Sequence, residues 1–170
     1  NAHVSVRPVI GQRTARASTN RRDEAGIRAV VEEAVAVTRL TEPDPELPEL
    51  AGPQPVESVD RYFEGTAQAT PAERASAVAH AIAEIEGLGQ TAAGIYSTGD
   101  AFFGVMNSRG LSAWHSETLA RFSITAMAAD SSGWAKASAC DHRALDPVAL
   151  ARSAARKAAA SADPRELPAG

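Results

Sequence analysis

Between Arg121 and Ala126 the chain alternates strictly, Phe122, Ile124 and Ala126 against Arg121, Ser123 and Thr125. A period of two predicts a strand with one face on a core and the other in water. Turn signals recur around it at Ser97-Thr98-Gly99-Asp100, Asn107-Ser108-Arg109-Gly110 and Asp130-Ser131-Ser132-Gly133. They divide residues 90–142 into about four strands of an antiparallel β-meander. Asn and Gly at positions 107 and 110 suit a tight turn because both tolerate positive φ.

The flanks change to other periods. Residues 3–18 read as a β-hairpin, with Val4, Val6 and Ile10 alternating with polar neighbours and Gly11-Gln12 at the turn. Pro8 cannot donate to a ladder, so its strand is expected at an edge or with a bulge. Asn20 is then expected to cap a helix that has Asp23 and Glu24 in its first turn and Ile27, Val30, Val31, Ala34 and Val35 as its buried stripe. Prolines 43, 45, 48, 53 and 55 among acidic residues predict an extended linker. Tyr62 and Phe63 are placed to pack it onto a lobe. Thr70-Pro71-Ala72-Glu73 is a capping box with proline at the first helical position. The helix it opens is predicted to run to Glu86, with Ala75, Val78, Ala79, Ile82 and Ile85 inward and Gly87 as the stop. Asp146-Pro147 opens another helix, to about Ala160, whose Leu150, Ala154 and Ala158 form a narrow stripe. Asp163-Pro164 and Leu167-Pro168 predict an extended exit.

The expected fold is therefore α+β: a hairpin-plus-helix lobe over residues 3–42 that looks like part of a first domain, a Pro-rich linker over 43–69, and a second domain over 70–165. In that second domain both helices lie on the apolar face of the meander. Nothing repeats internally.

Charge and composition narrow the partners. Lys and Arg number 17 against 21 Asp and Glu, a net charge of -4 that argues against direct nucleic-acid binding. No apolar run approaches the roughly 18 residues of a membrane span, and no signal peptide is visible, so a cytoplasmic location and no membrane partner are expected. One cysteine, Cys140, excludes an internal disulfide. The Asn1-Ala2 start resembles the scar of a cleaved tag, and the chain reads as an excised piece of a longer protein.

Candidate chemistry is thin. His3, His80, His115 and His142 are scattered. His80 and Glu84 share a helical spacing of four, but no second histidine completes a zinc set. Cys140, Asp141 and His142 are consecutive. As strand neighbours they alternate between faces, so Cys140 and His142 line one face without forming a nucleophile–base pair. There is no nucleophile elbow and no phosphate loop; Gly87-Leu88-Gly89 is too short. Trp114 and Trp134 are expected as half-buried sheet packing rather than binding anchors. The expectation is no catalytic residue, no metal ligand and no cofactor within the chain, with any binding residues unassigned.

The order of signals resembles a known family. The run VIGQRTARASTNRRDEAGIRAVVEEAVAVTRL with its acidic proline linker is similar to the first domain of the TldD/PmbA family. The stretch from FFGVMNSRG through SITAMAADSSGW to ALDPVALARSAARKA looks like the second. The resemblance implies cytoplasmic bacterial proteins described as modulators of DNA gyrase and as peptide-processing proteases. It implies paired subunits, homo- or heterodimeric, acting on unfolded peptide, one kind carrying a zinc-binding HExxxH helix in a downstream domain. This chain has no HExxxH, since Ala81 follows His80, so the family's catalytic residues map onto none of its positions. The resemblance also implies that earlier strands and a helix of the first domain precede this sequence. Gly133-Trp134 leans toward the zinc-less kind of subunit.

Overall fold

The computed structural model describes residues 2–166. Asn1 and the Leu167-Pro168 exit lie outside the described residues. The chain divides into two compact units, Asn1–Ala51 and Gly52–Gly170.

The first unit is a hairpin and one helix. β1 (Val4–Val6) pairs with β4 (Ala17–Thr19), and β2 (Val9–Ile10) with β3 (Arg13–Thr14), both antiparallel. The ladder breaks at Arg7-Pro8, where proline offers no donor; there the Thr14 hydroxyl donates to the Pro8 carbonyl at 2.9 Å. Gly11 (φ 53°) and Gln12 (φ 61°) make the turn in the left-handed region that a two-residue hairpin loop demands. α1 (Glu24–Leu40) is capped by Asp23, whose carboxylate accepts from the Gly26 amide, and not by Asn20. Gly26 is the third residue after Asp23, the reach a cap requires. A side chain at Gly26 would collide with the Arg21 Cβ and come 2.6 Å from the Asp23 carboxylate. The buried line of α1 is Gly26, Val30, Ala34 and Thr38. Val31 from the expected stripe is exposed, because a hairpin this narrow covers little more than one row of a helix.

The second unit is α+β as expected. β5 (Thr91–Met106), β6 (Ser112–Met127) and β7 (Ser132–Ala139) form an antiparallel sheet in the order β5-β6-β7. The meander therefore has three strands among the described residues rather than four, because Ser97–Asp100 is not a turn. Each of those residues pairs with β6, from Ser97 opposite Arg121 to Asp100 opposite Thr118. An unbroken partner strand, with the Thr98 hydroxyl held by Arg74 at 2.9 Å, outweighs local turn preference. The turn after β6 falls at residues 128–131, closed by the Ala128 amide to the Ser131 carbonyl, so Ser132 and Gly133 belong to β7.

Helices α3 (Pro71–Glu86) and α4 (Pro147–Ala160) pack on one face of this sheet and on each other. The face they cover carries Phe122, Ile124 and Ala126, in the alternation read from the sequence. Opposite them stand Ala81 and Ile85 of α3 and Ala151, Ala154, Ala155 and Ala158 of α4. Thr70 and Glu73 form the predicted capping box, and Asp146 caps α4. α3 is rotated from expectation, with Ala75 and Ala79 exposed and Ala81 buried. In an Ala-rich helix several faces are nearly equally apolar, so the stripe is weakly specified. Gly87 caps α3 in ordinary αR geometry, and the left-handed glycine is Gly89 at φ 72°.

Two 16-residue strands are long for a globular domain. At about 3.4 Å per residue each spans roughly 50 Å, whereas the 16-residue α3 spans about 24 Å. The β5–β6 ribbon thus outruns its helices, and Phe102, Phe103, Val105, Met106 and Trp114 near its tip are exposed.

Candidate functional site

The residues singled out by sequence do not converge. His3 is exposed in the first unit, and His80 is exposed on α3. Glu84, its helical neighbour, is taken by Arg152 of α4 in a two-pronged pair at 2.8 and 2.9 Å, which holds its carboxyl below the ordinary range. His115 Nε2 lies 3.7 Å from the Glu117 carboxylate, which also accepts from Arg61 at 3.1 Å.

Cys140, Asp141 and His142 are not strand residues, so the strand geometry expected for them does not apply. β7 ends at Ala139, and Asp141 instead caps a single 3₁₀ turn, His142–Ala144, by accepting from the Arg143 amide. The Arg143 guanidinium grips the same carboxylate and lowers its pKa. The Cys140 carbonyl accepts from Thr118 at 2.8 Å.

Sequence reasoning passed over the polar cluster that does form. Thr66, on the short helix α2 (Glu64–Ala67), and Thr118 of β6 are fully buried. The Thr66 hydroxyl accepts from the His142 amide at 2.8 Å and lies 3.3 Å from its Nδ1. Thr118 donates its amide to the Arg61 carbonyl at 3.0 Å, and its hydroxyl accepts from the Phe63 amide at 3.1 Å. A polar residue on the core-facing register of β6, in line with Ala120 and Phe122, was the available signal. The chemistry on offer is structural: the two threonines tie residues 61–66 and the 3₁₀ turn to the sheet, mostly through backbone groups, with the Thr66 hydroxyl also beside the His142 ring.

Of the two tryptophans, Trp114 departs further from the half-buried packing expected of them. Trp114 is 69% exposed and Trp134 54%, because one lies on the part of the ribbon beyond the helices and the other on the sheet face away from them. Trp114 stacks on Phe102, with centroids 5.9 Å apart and planes 16° apart. Trp134 donates its indole N–H to Ser123 at 2.9 Å.

A wide cleft lies between residues 54–62 and Ser112–Ser116 of β6, with a volume of about 660 Å³. It borders an unpaired strand edge, since β7 pairs with β6 only from Ala120 to Met127.

Residues 60–162, more than half of the chain, match the PmbA/TldA metallopeptidase central domain. The chain belongs to the PmbA/TldA metallopeptidase family. Solved structures share the fold of this PmbA/TldA chain at low identity. A Thermotoga maritima protein described as a candidate modulator of a DNA gyrase is 16% identical, with a TM-score of 0.85 over 99% of this chain and 39% of its own. TldE from Thermococcus kodakarensis is 16% identical, with a TM-score of 0.82 over 92% of this chain and 37% of its own. A Bacteroides thetaiotaomicron protein, also described as a candidate modulator of DNA gyrase, is 17% identical, with a TM-score of 0.76 over 98% of this chain and 41% of its own. The PmbA/TldA chain thus spans about two fifths of the length of the solved proteins it resembles. No curated protein sequence matches it.

The family name implies a metal. Among the described residues no three His, Cys, Asp or Glu side chains come together to hold one. The donors among the described residues do not fit a zinc site. No helix among the described residues is long and apolar enough to cross a membrane.

Proposed function

We propose that this chain is the non-catalytic N-terminal region of a peptide-processing metallopeptidase subunit, positioning substrate peptide or partner subunit for a downstream zinc domain in the cytoplasm. The match of residues 60–162 to the family's central domain is the observation that carries this reading. It is supported by the polar cluster, whose threonines hold residues 61–66 and the 3₁₀ turn on the sheet, a structural use of those side chains. The expected result is a chain that holds no stoichiometric zinc by elemental analysis and leaves an unfolded peptide intact. One tightly bound zinc per chain would overturn the reading. So would peptide turnover abolished by a change at His80, His115 or His142.

The alternative is a structural region of the zinc-less partner subunit. Gly133-Trp134 was the residue pair leaning that way, but Gly133 is accounted for by the fold. A Cβ there would strike the Ala154 carbonyl and come 2.5 Å from the Ala158 nitrogen. The coding sequence downstream of Gly170 separates the two readings by the presence or absence of HExxxH.

The partner in either case is a homologous subunit. The first unit supports this: a two-stranded hairpin buries too little to be stable alone, and Val9 and Ile10 are exposed on it. Light scattering is expected to give a dimer that Val9→Lys with Ile10→Lys dissociates. A monomer at high concentration with an ordered hairpin would overturn that partner.

A further inference from the structure

Residues 53–61 form a strap beside the unpaired half of β6, running in the same direction as that strand. One end sits at the ribbon tip, where a Cβ on Gly110 would come 3.2 Å from the Pro53 ring. The other end is fixed by the bond from the Thr118 amide to the Arg61 carbonyl. Between these anchors, no hydrogen bond joins residues 54–60 to Ser112–Ser116 among the described residues. Strand geometry settles which backbone groups face the gap. Since the Thr118 N–H points at the strap, every second residue before it points its N–H and C=O the same way, namely Ser116, Trp114 and Ser112. An unpaired edge of this kind is a template for one more strand.

The lining of the gap says what that strand carries. Val56 and Val59 are each 56% exposed and, with Trp114, give apolar contacts. Glu57 and Asp60 also line the gap, and the one arginine beside them, Arg61, is already spent on Glu117. The local charge is therefore negative.

We propose that this cleft takes an extended peptide with alternating apolar and basic side chains, added as a strand to the free edge of β6 beneath the strap. Main-chain bonds to Ser112, Trp114 and Ser116 hold it irrespective of sequence, and the strap's valines and carboxylates select its side chains. The proposal rests on the peptide-positioning reading for the source of that peptide.

The test uses a fluorescein-labelled octapeptide of alternating valine and lysine. Its controls are a valine–glutamate counterpart and a valine–lysine peptide N-methylated at alternate backbone nitrogens. Fluorescence anisotropy and residue-resolved amide exchange are the readouts. The valine–lysine peptide is expected to bind and to slow exchange at Ser112, Trp114 and Ser116. The N-methylated peptide, and the Glu57→Lys/Asp60→Lys double variant, are expected to lose at least about tenfold in affinity, or 1.4 kcal/mol. Both positions lie in an irregular segment, and circular dichroism checks that the double variant is folded. Equal binding of the glutamate peptide, no binding of any peptide, or amides at 112–116 already as slow as those of Phe122 and Ile124 in the free chain would each overturn the cleft. Protection at another surface overturns the cleft but leaves peptide positioning standing, whereas cleavage of the probe overturns the non-catalytic reading itself.

Discussion

Gly133 is the residue at which sheet and helix come closest. Its missing side chain lets α4 lie against β7, with the Ala154 carbonyl, the Ala158 nitrogen and the Lys157 Cβ (2.6 Å) in the space a methyl would need. Two of these obstacles are backbone, so they cannot swing aside. Gly133→Ala is expected to cost about 1–3 kcal/mol in chemical denaturation. Gly99→Ala, where nothing lies within 4 Å, is expected to be neutral or slightly stabilising. Equal losses at the two would place α4 elsewhere. Phe122→Ala should cost about 3–5 kcal/mol, since the ring is buried and meets Tyr96 edge-on at 5.6 Å. Ser123→Ala, one residue along on the wet face, loses only the bond from Trp134 and should stay below about 1 kcal/mol. The face assignment of Phe122 and Ser123 was legible because alternation is a local property. The purpose of Gly133 was not, because the helix residues that need its bareness, Ala154, Lys157 and Ala158, lie more than twenty residues on.

Elements were legible where a cap or turn is closed by its own neighbours. Thr70 and Glu73 satisfy each other, and Asn107 accepts from the amides of Arg109 and Leu111. Thr70→Ala is therefore expected to cost about 1 kcal/mol. At α1 two candidate caps compete, and only Asp23 bonds a first-turn amide. Asp23→Ala should lower the melting temperature of the first unit, and Asn20→Ala should leave it unchanged; the reverse order would restore the earlier helix start. Ser97–Asp100 had turn chemistry as good as Asn107–Gly110. What decided between them was β6, which pairs with β5 through the whole of the first site and turns only at the second. No local reading of residues 97–100 contains that strand. The candidate cleft was illegible for the same reason, since it needs β7 to be shorter than β6 and the Pro-rich segment to return beside it.

For the whole molecule, acid exposes how its charges are arranged. The carboxyls of Asp23, Glu73, Glu84 and Asp141 all sit below their ordinary values of 3.8 for Asp and 4.5 for Glu. The main causes are the Arg21 side chain, the Thr70 amide, the Arg152 side chain and the Arg143 side chain respectively. Each contributes stability that is fully present above those ordinary values and is lost as pH falls through the lower folded ones. Tyr96 acts at the other end, because burial raises its phenol above 10.0 and ionisation then opposes the fold. The melting temperature is expected to hold level from about pH 5 to pH 9 and to fall on both sides. A steep change inside that window would implicate a group outside this set. The long β5–β6 ribbon has a consequence for the order of folding. Its turn lies at Asn107–Gly110, but Phe122 and Ile124, which bind it to the helices, lie at the opposite, open end, where Thr91 faces Met127. A hairpin that zipped from its turn would gain no core contacts until the last step. The tight β6–β7 turn sets Ile124 opposite Ala135, 11 residues on (135 − 124), against 30 between Gly94 and Ile124 (124 − 94), so closure starts there and β5 pairs toward the tip afterwards. Truncations at Phe102 or Trp114 should then speed unfolding and leave the folding rate unchanged, while Ile124→Val slows folding.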